Sequence, residues 1–284
     1  MTESDRTRKL FRALVKLPRQ LSENPSAKVV HELRTTVRRV ETLLDLVVAE
    51  PGGHEAKLLK KLGKLRKRAG KVRDLDVQMV ALRGVKLDAG ARDKTRVMRE
   101  LHSRHSRQQG KLLRQVEDAM DSGLRKHLRQ VSDAVLTLPP RRLAGGGAVL
   151  RALDSFATMA EAHRPLSAEN LHEFRLQCKR LRYTAEMAPD DPKSVPVIRE
   201  LRRIQDSAGQ WHDCVTLAQT AEEVLGKPSN SPLLAALRAT QRARLLEALR
   251  TSADAERALL ALRREVLTRK PAASAEKAAA AQAS

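Results

Sequence analysis

The sequence predicts an all-α fold, and the prediction rests on composition and on an internal repeat. Hydrophobic residues make up 41% of the chain and charged residues 31%, and only 13 Gly and 12 Pro interrupt its 284 residues, a mixture typical of long amphipathic helices. The segment Val30-His31-Glu32-Leu33-Arg34 returns in the second half as Leu171-His172-Glu173-Phe174-Arg175. Because the repeat is about half the chain long, it indicates a duplicated half-domain, not a solenoid.

Breaker residues divide the first half into four predicted helices. Helices end or begin at Pro18, Asn24-Pro25 and Pro51-Gly52-Gly53, and a less distinct boundary lies near Gly90. The Asn24-Pro25 pair is typical of an N-cap followed by proline at the first helical position. The four predicted helices span about 3–17, 25–49, 54–89 and 91–138.

A second series of four helices is predicted after a linker at 139–147. These helices span about 147–163, 168–188, 194–225 and 231–269. Because short connections favour antiparallel neighbours, we expect two antiparallel four-helix bundles, at 1–138 and 148–270, related by an internal pseudo-two-fold axis. The Ala- and Ser-rich end of the chain, 271–284, is predicted to be a disordered tail or a fraying helix.

The charge of the chain predicts a polyanionic partner. Lys and Arg number 55 against 34 Asp and Glu, which gives a formal charge of +21. Nucleic acid, an anionic membrane surface and an inorganic polyanion are the candidates. Single-stranded nucleic-acid binders usually interleave cations with aromatic platforms, and only three Phe, one Tyr and one Trp are present. Binding of duplex DNA through its phosphates alone stays an alternative, since it needs only cations.

Two cysteines and the absence of apolar runs predict a cytoplasmic chain. Cys178 and Cys214 form no CxxC pair, so reduced thiols are expected. Charged residues interrupt the N-terminal segment, which leaves no signal-peptide core. No segment is apolar enough to span a membrane.

The repeated helices each predict a basic face backed by an apolar stripe. On a wheel of roughly 100° per residue, His31, Arg34 and Arg38 share one face, and Arg39 and Arg180 lie on the flanks. The second basic face carries His172, Arg175, Lys179 and Tyr183. The predicted core-facing stripes comprise Val30, Leu33, Val37, Val40, Leu44 and Val47 in the first copy, and Leu171, Phe174, Cys178, Leu181 and Ala185 in the second.

The next helix adds a lysine-rich stripe that favours an anion groove, because like charges three and four residues apart repel. The stripe comprises Lys57, Lys60, Lys61, Lys64, Lys67, Arg68 and Lys71, of which Lys57, Lys67 and Arg68 are the weakest candidates. The second copy retains only Arg199 and Arg203 at the positions of Lys60 and Lys64. Glycine recurs inside both helices, as Gly70 and Gly209, which suggests close packing or a bend.

Together with the Ala-Gly-x-x-x-Asp segments at 69–74 and 208–213, the paired His-x-x-Arg helices resemble the conserved histidine α-helical domain (CHAD) family. The resemblance covers nearly the whole chain. It implies two four-helix bundles with a basic central groove or channel, binding of inorganic polyphosphate, and neither catalysis nor a cofactor. Because no strand-rich segment is present, a stand-alone version is expected.

Carried over by position, the resemblance implies ligand contacts in both copies. The first copy would use His31, Arg34, Arg38 and Arg39, and the second His172, Arg175, Lys179, Arg180, Arg182 and Tyr183. Glu41 stands at the position of Arg182, so a weaker contact is expected at that corner. Imidazoles titrate near pH 6.5, and binding is therefore predicted to tighten as the pH falls from about 8 to 6.

Other interpretations of these residues stay open. His31 and His172 could cap helices or line the core rim, and the outer lysines could be solvated. His102 and His105 are favoured as solvated side chains over a metal pair, since no third ligand is evident. Trp211 and Phe174 are expected to pack between helices, and Asp74 and Asp213 to satisfy basic neighbours.

Two other functions compete with polyphosphate binding, namely nucleic-acid-phosphate binding or compaction and, less favoured, polyphosphate hydrolysis. Hydrolysis needs positioned metal or acid-base groups, which the sequence does not reveal. The expected location is the cytoplasm, with polyphosphate granules as one place of association. Oligomeric state and preferred chain length do not follow from the sequence.

Overall fold

The structure is a computed structural model that describes residues 3–48, 50–87, 89–138, 147–188, 190–226 and 230–268. All regular elements within these ranges are α-helices, as the sequence predicts. In chain order they are α1 (Glu3–Glu23), α2 (Ala27–Val47), α3 (Gly53–Gly84), α4 (Ala91–Asp121), α5 (Leu124–Leu136), α6 (Ala148–Ala162), α7 (Leu171–Glu186), α8 (Ser194–Leu225) and α9 (Pro232–Thr268).

The chain forms two compact units whose boundaries differ from the two predicted halves. Unit 1 comprises Met1–Gly146 and Gln210–Arg244, and unit 2 comprises Gly147–Gly209 and Leu245–Ser284. Because α8 and α9 each run through both units, the second half of the sequence contributes part of unit 1. The pseudo-two-fold axis and the central groove stay predictions. The predicted tail and residues 139–146 of the predicted linker lie outside the described residues.

The first helix continues through Pro18, so the predicted end at residue 17 is wrong. A proline inside a helix costs about 3 kcal/mol because it removes one hydrogen bond and crowds the preceding turn. Leu14, Leu17 and Leu21 are nevertheless buried along one stripe that includes both sides of the proline. Burial of each leucine contributes about 1.5–3 kcal/mol, enough to keep the helix continuous.

Two other predicted boundaries are corrected by local backbone chemistry. The N-cap of α2 is Ser26, not Asn24, and its hydroxyl oxygen accepts a hydrogen bond from the Val29 amide at 3.4 Å. The predicted helix at 91–138 is two helices, α4 and α5. Gly123 separates them with a φ of 83°, a left-handed conformation that glycine adopts without steric cost.

The core of unit 1 joins α3 and α4 to the described parts of α8 and α9 in that unit. Leu82, Val97, Leu101, Leu217 and Leu233 belong to this buried cluster. A buried polar contact crosses it, because the Thr220 hydroxyl of α8 donates to Gln78 Oε1 of α3 at 3.0 Å. Because both side chains are buried, this hydrogen bond is what satisfies the two polar atoms that it joins.

Unit 2 has its own aromatic and ionic contacts. Phe156 of α6 meets Phe174 of α7 edge to face, with ring centroids 6.1 Å apart, and both rings are buried. Arg263 of α9 donates to Asp154 of α6 at 2.7 Å, and Lys193 pairs with Glu265 of α9. These contacts connect the described part of α9 in unit 2 to the rest of that unit.

Neither cysteine takes part in a disulfide, as expected. Cys178 is fully buried within unit 2, where burial raises the pKa of its thiol. Cys214 in unit 1 is half-buried, and burial likewise raises its pKa more than Arg244 lowers it. Across the described ranges, none of the helices has the length and apolar character needed to cross a bilayer.

Replacement of Thr220 by valine is expected to destabilise the chain by about 1–3 kcal/mol, because Gln78 Oε1 would stay buried without its donor. Chemical denaturation of both proteins measures this difference. The double variant Thr220→Val/Gln78→Leu serves as the control and is expected to recover most of the loss, since it removes both polar groups. A single variant as stable as the unchanged protein would show that the buried hydrogen bond contributes nothing.

Candidate functional site: two basic faces

The α2 face of unit 1 confirms the predicted division into basic and apolar sides. Val30, Leu33, Val37, Val40 and Leu44 are fully buried. His31 and Arg39 are exposed, whereas Arg34 and Arg38 are half-buried. The helix therefore presents its cations from a rigid, well-packed element, which limits the backbone freedom lost on binding.

The recurrent glycine of α3 lies against the first of these arginines. A methyl group at Gly70 would lie 4.0 Å from Arg34 Nε, in ordinary van der Waals contact. Since α2 and α3 pack against each other, the Arg34 side chain extends across the neighbouring helix at the point where that helix has no side chain. Gly70 therefore lies beside the arginine, at a distance that would also accommodate a methyl group.

The second copy repeats this arrangement more tightly in unit 2. A methyl group at Gly209 of α8 would lie 3.3 Å from both Arg175 Nε and Arg175 Nη2. Arg175 Nε also donates to the backbone carbonyl of Gln205 at 3.4 Å. The guanidinium is therefore held against the backbone of α8. Gly209 is buried, which explains why a glycine recurs here despite its low helix propensity.

A polar contact between the paired helices recurs with its donor and acceptor exchanged. In unit 1, Glu41 of α2 forms an ion pair with Arg66 of α3, with 2.7 Å between Oε2 and Nε. In unit 2, Arg182 stands at the position of Glu41, and its Nε donates to Gln205 Oε1 at 3.0 Å. The departure at Glu41 is therefore compensated by Arg66. Burial raises the pKa of Glu41 more than Arg66 lowers it.

The expectation that Tyr183 lies on the basic face of α7 is wrong. Its ring is only 2% exposed, and the Arg182 guanidinium lies 4.3 Å from the ring centroid. Arg182 in turn pairs with Glu186 and has a side chain 12% exposed. The wheel missed this because a long arginine side chain can cover a ring with its own stem and head group. Both residues support the packing of α7 more than its open surface.

The other predicted residues of the second face differ in their ionic partners. His172 and Lys179 are half-buried, and Arg180 is exposed. Arg199 and Arg203 both donate to the buried carboxylate of Glu200, at 2.8 Å and 2.6 Å. Burial raises the pKa of Glu200, but these hydrogen bonds and charges outweigh it and keep the pKa below its ordinary value. Half of the charge of this arginine pair is thus neutralised locally.

The lysine-rich stripe of α3 divides between two surfaces. Lys60, Lys64 and Lys71 are exposed. Lys61, which corresponds to Glu200 in the second copy, instead donates to Ser122 Oγ at 2.6 Å. Burial lowers the pKa of His127 of α5, and the charges of Lys61 and Lys57 both lower it further. These two lysines therefore lie on the flank of α3 that faces α5. The sequence did not reveal this flank, although His54 continues it at helical spacing.

The histidines fall into distinct environments. Burial lowers the pKa of His172, and the neighbouring charge of Arg175 lowers it further. The prediction that His105 is a solvated side chain is wrong, because its Nε2 lies 3.0 Å from Asp76 Oδ1 and the side chain is 18% exposed. His102 is exposed. Among the residues that the structure describes, no group of three or more His, Cys, Asp or Glu could hold a metal ion.

A cleft of about 780 Å³ in unit 1 brings Asp213 close to basic residues, as expected. Arg73 of α3, Lys86 just after α3 and Arg244 of α9 line it, together with Cys214. Asp213 therefore shares this cleft with three basic residues. This placement gives no reason to assign Asp213 a role as general acid.

The helices and their two basic faces define the class of this chain as an all-α, polycationic helical domain. The family model for the CHAD domain matches residues 6–222, and the chain belongs to that family. Among solved structures, it is similar to the crystal structure of the CHAD domain from the plant Ricinus communis. The TM-score is 0.62 at 18% sequence identity, over 92% of each chain. No curated protein matches the sequence.

Alanine at the two recurrent glycines is expected to have different consequences. Gly70→Ala is expected to stabilise the chain by up to about 1 kcal/mol, because alanine is the better helix former and the new methyl group fits. Gly209→Ala is expected to lose most of that gain, since its methyl group displaces the Arg175 guanidinium. Thermal unfolding of the two variants measures the difference. Equal stabilisation by both would contradict the close contact at Gly209.

Proposed function

We propose that this chain binds inorganic polyphosphate on its two basic faces, without catalysis. The observation that carries the proposal is the arginine that each face places beside a glycine of the neighbouring helix, closely for Arg175 at Gly209 and less closely for Arg34 at Gly70. A guanidinium can bind neighbouring phosphate oxygens through parallel hydrogen bonds. A guanidinium already held in position loses less freedom when it binds such a group.

The distribution of the aromatic rings supports a polyanion without bases. All five Phe, Tyr and Trp side chains are buried, with exposures of 3% for Phe11, 1% for Phe156, 0% for Phe174, 2% for Tyr183 and 5% for Trp211. The predicted packing roles of Trp211 and Phe174 are thereby confirmed. Stacking on exposed rings is the usual means of holding single-stranded nucleic acid. Recognition by charge and spacing alone suits a phosphate chain.

The acidic residues beside the two faces support binding over hydrolysis. Glu41 is paired with Arg66 in unit 1, and Glu200 with two arginines in unit 2. Hydrolysis of a phosphoanhydride needs an oriented base or a metal-bound water. Carboxylates engaged by arginines are better suited to fixing cations than to abstracting protons. The proposal therefore assigns these acids a positioning role. With polyphosphate as the ligand, the proposal also places the protein with polyphosphate granules in the cytoplasm.

The double variant Arg34→Ala/Arg175→Ala is expected to bind long-chain polyphosphate more weakly by at least about a hundredfold, because each of the two charge-assisted contacts contributes about 1.5–3 kcal/mol. Isothermal titration at fixed salt, after circular dichroism confirms equal helicity, measures the change. The matched control is Arg129→Ala/Arg250→Ala, which removes two exposed arginines, one from each unit. Similar losses in both variants would show that net charge, not the positioned arginines, determines affinity.

Competition with duplex DNA separates the proposal from its main alternative. Polyphosphate is expected to retain the protein when DNA is added at an equal concentration of phosphate charge. Displacement by DNA under these conditions would favour phosphate-backbone binding of nucleic acid.

Polyphosphate affinity is expected to rise as the pH falls, mainly below the ordinary histidine pKa of 6.5. Burial and Arg175 lower the pKa of His172, so its ring is neutral near pH 7 and gains charge only at lower pH. A bound polyanion favours the protonated ring and raises that pKa, so binding takes up a proton and tightens between the two pKa values. Titrations at several pH values, with His172→Gln as control, measure the effect. The same pH dependence in both proteins would exclude His172.

A further inference from the structure

A second group of cations lies where the N-terminal ends of α3 and α5 meet in unit 1. His54 is in the first turn of α3, and His127 is in the first turn of α5. Their Nδ1 atoms are 3.1 Å apart, and their ring centroids 5.3 Å apart. This is a hydrogen-bonding distance, at which one ring donates and the other accepts. When both rings are protonated they repel each other, and an anion that accepts from both removes this repulsion.

Three lysines surround this histidine pair. Lys61 reaches the end of α4, where it donates to Ser122 Oγ at 2.6 Å. Burial lowers the pKa of His127 most, followed by the charges of His54, Lys61, Lys57 and Lys126. The acidic residue in the first turn of α3, Glu55, is two positions from Lys57 and therefore faces another side of the helix.

The backbone of both helix ends contributes in the same direction. The N-cap residues are Gly52 and Gly123, and neither supplies a side-chain hydrogen bond to the first turn. First-turn amide groups without such a cap, together with the helix dipole, favour an anion at a helix N-terminus. The helix ends alone would not define a site. Here two of them adjoin a histidine pair and three lysines.

This cluster lies apart from the basic face of α2. Glu41 and Arg34 approach Gly63 and Gly70 on the flank of α3 that packs against α2. Lys57 and Lys61 differ from Gly63 by more than 100° on a wheel of roughly 100° per residue, and they face α5. The two surfaces of α3 can therefore each hold an anion.

We propose that His54, His127, Lys57, Lys61 and Lys126 form a separate binding site for a phosphate group. The group is either a free inorganic phosphate or one unit of a phosphoanhydride chain. The inference deepens the proposed function and rests on it in one respect, namely that the phosphoanhydride chain is polyphosphate. The imidazoles donate to the phosphate oxygens, and the lysines neutralise its charge. A chain held here and on α2 would be attached to unit 1 at two points, which raises its local concentration for the second contact.

The test is a titration of the full chain at about pH 7 with three probes: inorganic phosphate, inorganic pyrophosphate and polyphosphate of defined length. Proton–nitrogen correlation spectra record the imidazole nitrogens of His54 and His127, which are expected to shift with pyrophosphate and polyphosphate. Lys57→Gln/Lys61→Gln is expected to weaken the pyrophosphate response by about tenfold or more, since charge-assisted contacts are lost. Lys9→Gln/Lys111→Gln removes two exposed lysines of α1 and α4 and is expected to leave the response unchanged.

The outcomes separate this site from the proposed function. Arg34→Ala/Arg175→Ala is expected to lose polyphosphate affinity yet keep the pyrophosphate shifts of His54 and His127. If the unchanged chain binds pyrophosphate here but no polyphosphate, the proposed function fails and the site stands. A response to inorganic phosphate as strong as that to pyrophosphate assigns the site to free phosphate. Imidazole signals that do not move with any probe, or that respond equally in both lysine variants, overturn the site.

Discussion

The contact between an arginine and a glycine on the neighbouring helix is the constraint on which both basic faces depend. Each arginine begins on a helix whose other side is buried in the core, and it ends against a helix that lacks a side chain at that point. Glycine in a helix interior costs about 1 kcal/mol relative to alanine. At Gly209 the fold accepts this cost because a Cβ would displace the Arg175 guanidinium, whereas the 4.0 Å distance at Gly70 leaves room for a methyl group. In unit 2 the position of the cation is therefore determined by the backbone of α8, to which Arg175 also donates.

The two copies distribute their charge differently around this shared contact. In unit 1, Lys60, Lys61 and Lys64 carry three positive charges, whereas the corresponding Arg199, Glu200 and Arg203 in unit 2 form an ion-pair cluster. Exposed lysines are mobile point charges that attract a polyanion over a distance set by the ionic strength. Arginines held by a buried carboxylate lose less freedom but attract less strongly. The first unit is thus suited to attraction, and the second to a more oriented contact.

Sequence patterns predicted the features that depend on local periodicity. The buried stripe of α2 follows from apolar spacing, and the bounds of α8 agree with the prediction, because these depend on neighbours within one helix. The features that were missed depend on other elements. Burial of Leu14 and Leu21 overrides the break at Pro18, and the stem of Arg182 covers Tyr183. His105 meets Asp76 only because α4 packs against α3. A helical wheel contains none of this information.

A formal charge of +21 also affects the stability of the fold itself. Like charges on α3 repel by a few tenths of a kcal/mol per close pair, and net self-repulsion destabilises a compact state. The structure offsets part of this repulsion with ion pairs such as Glu41 with Arg66 and Glu200 with its two arginines. In α3, Lys61 stands at the position of Glu200, so the acid that pairs with the two arginines of α8 has no counterpart between Lys60 and Lys64. An anion bound along α3 would therefore remove a repulsion that exists only in the folded chain. Under the proposed function, ligand binding and folding are coupled, because the same lysines that attract the polyanion destabilise the protein without it.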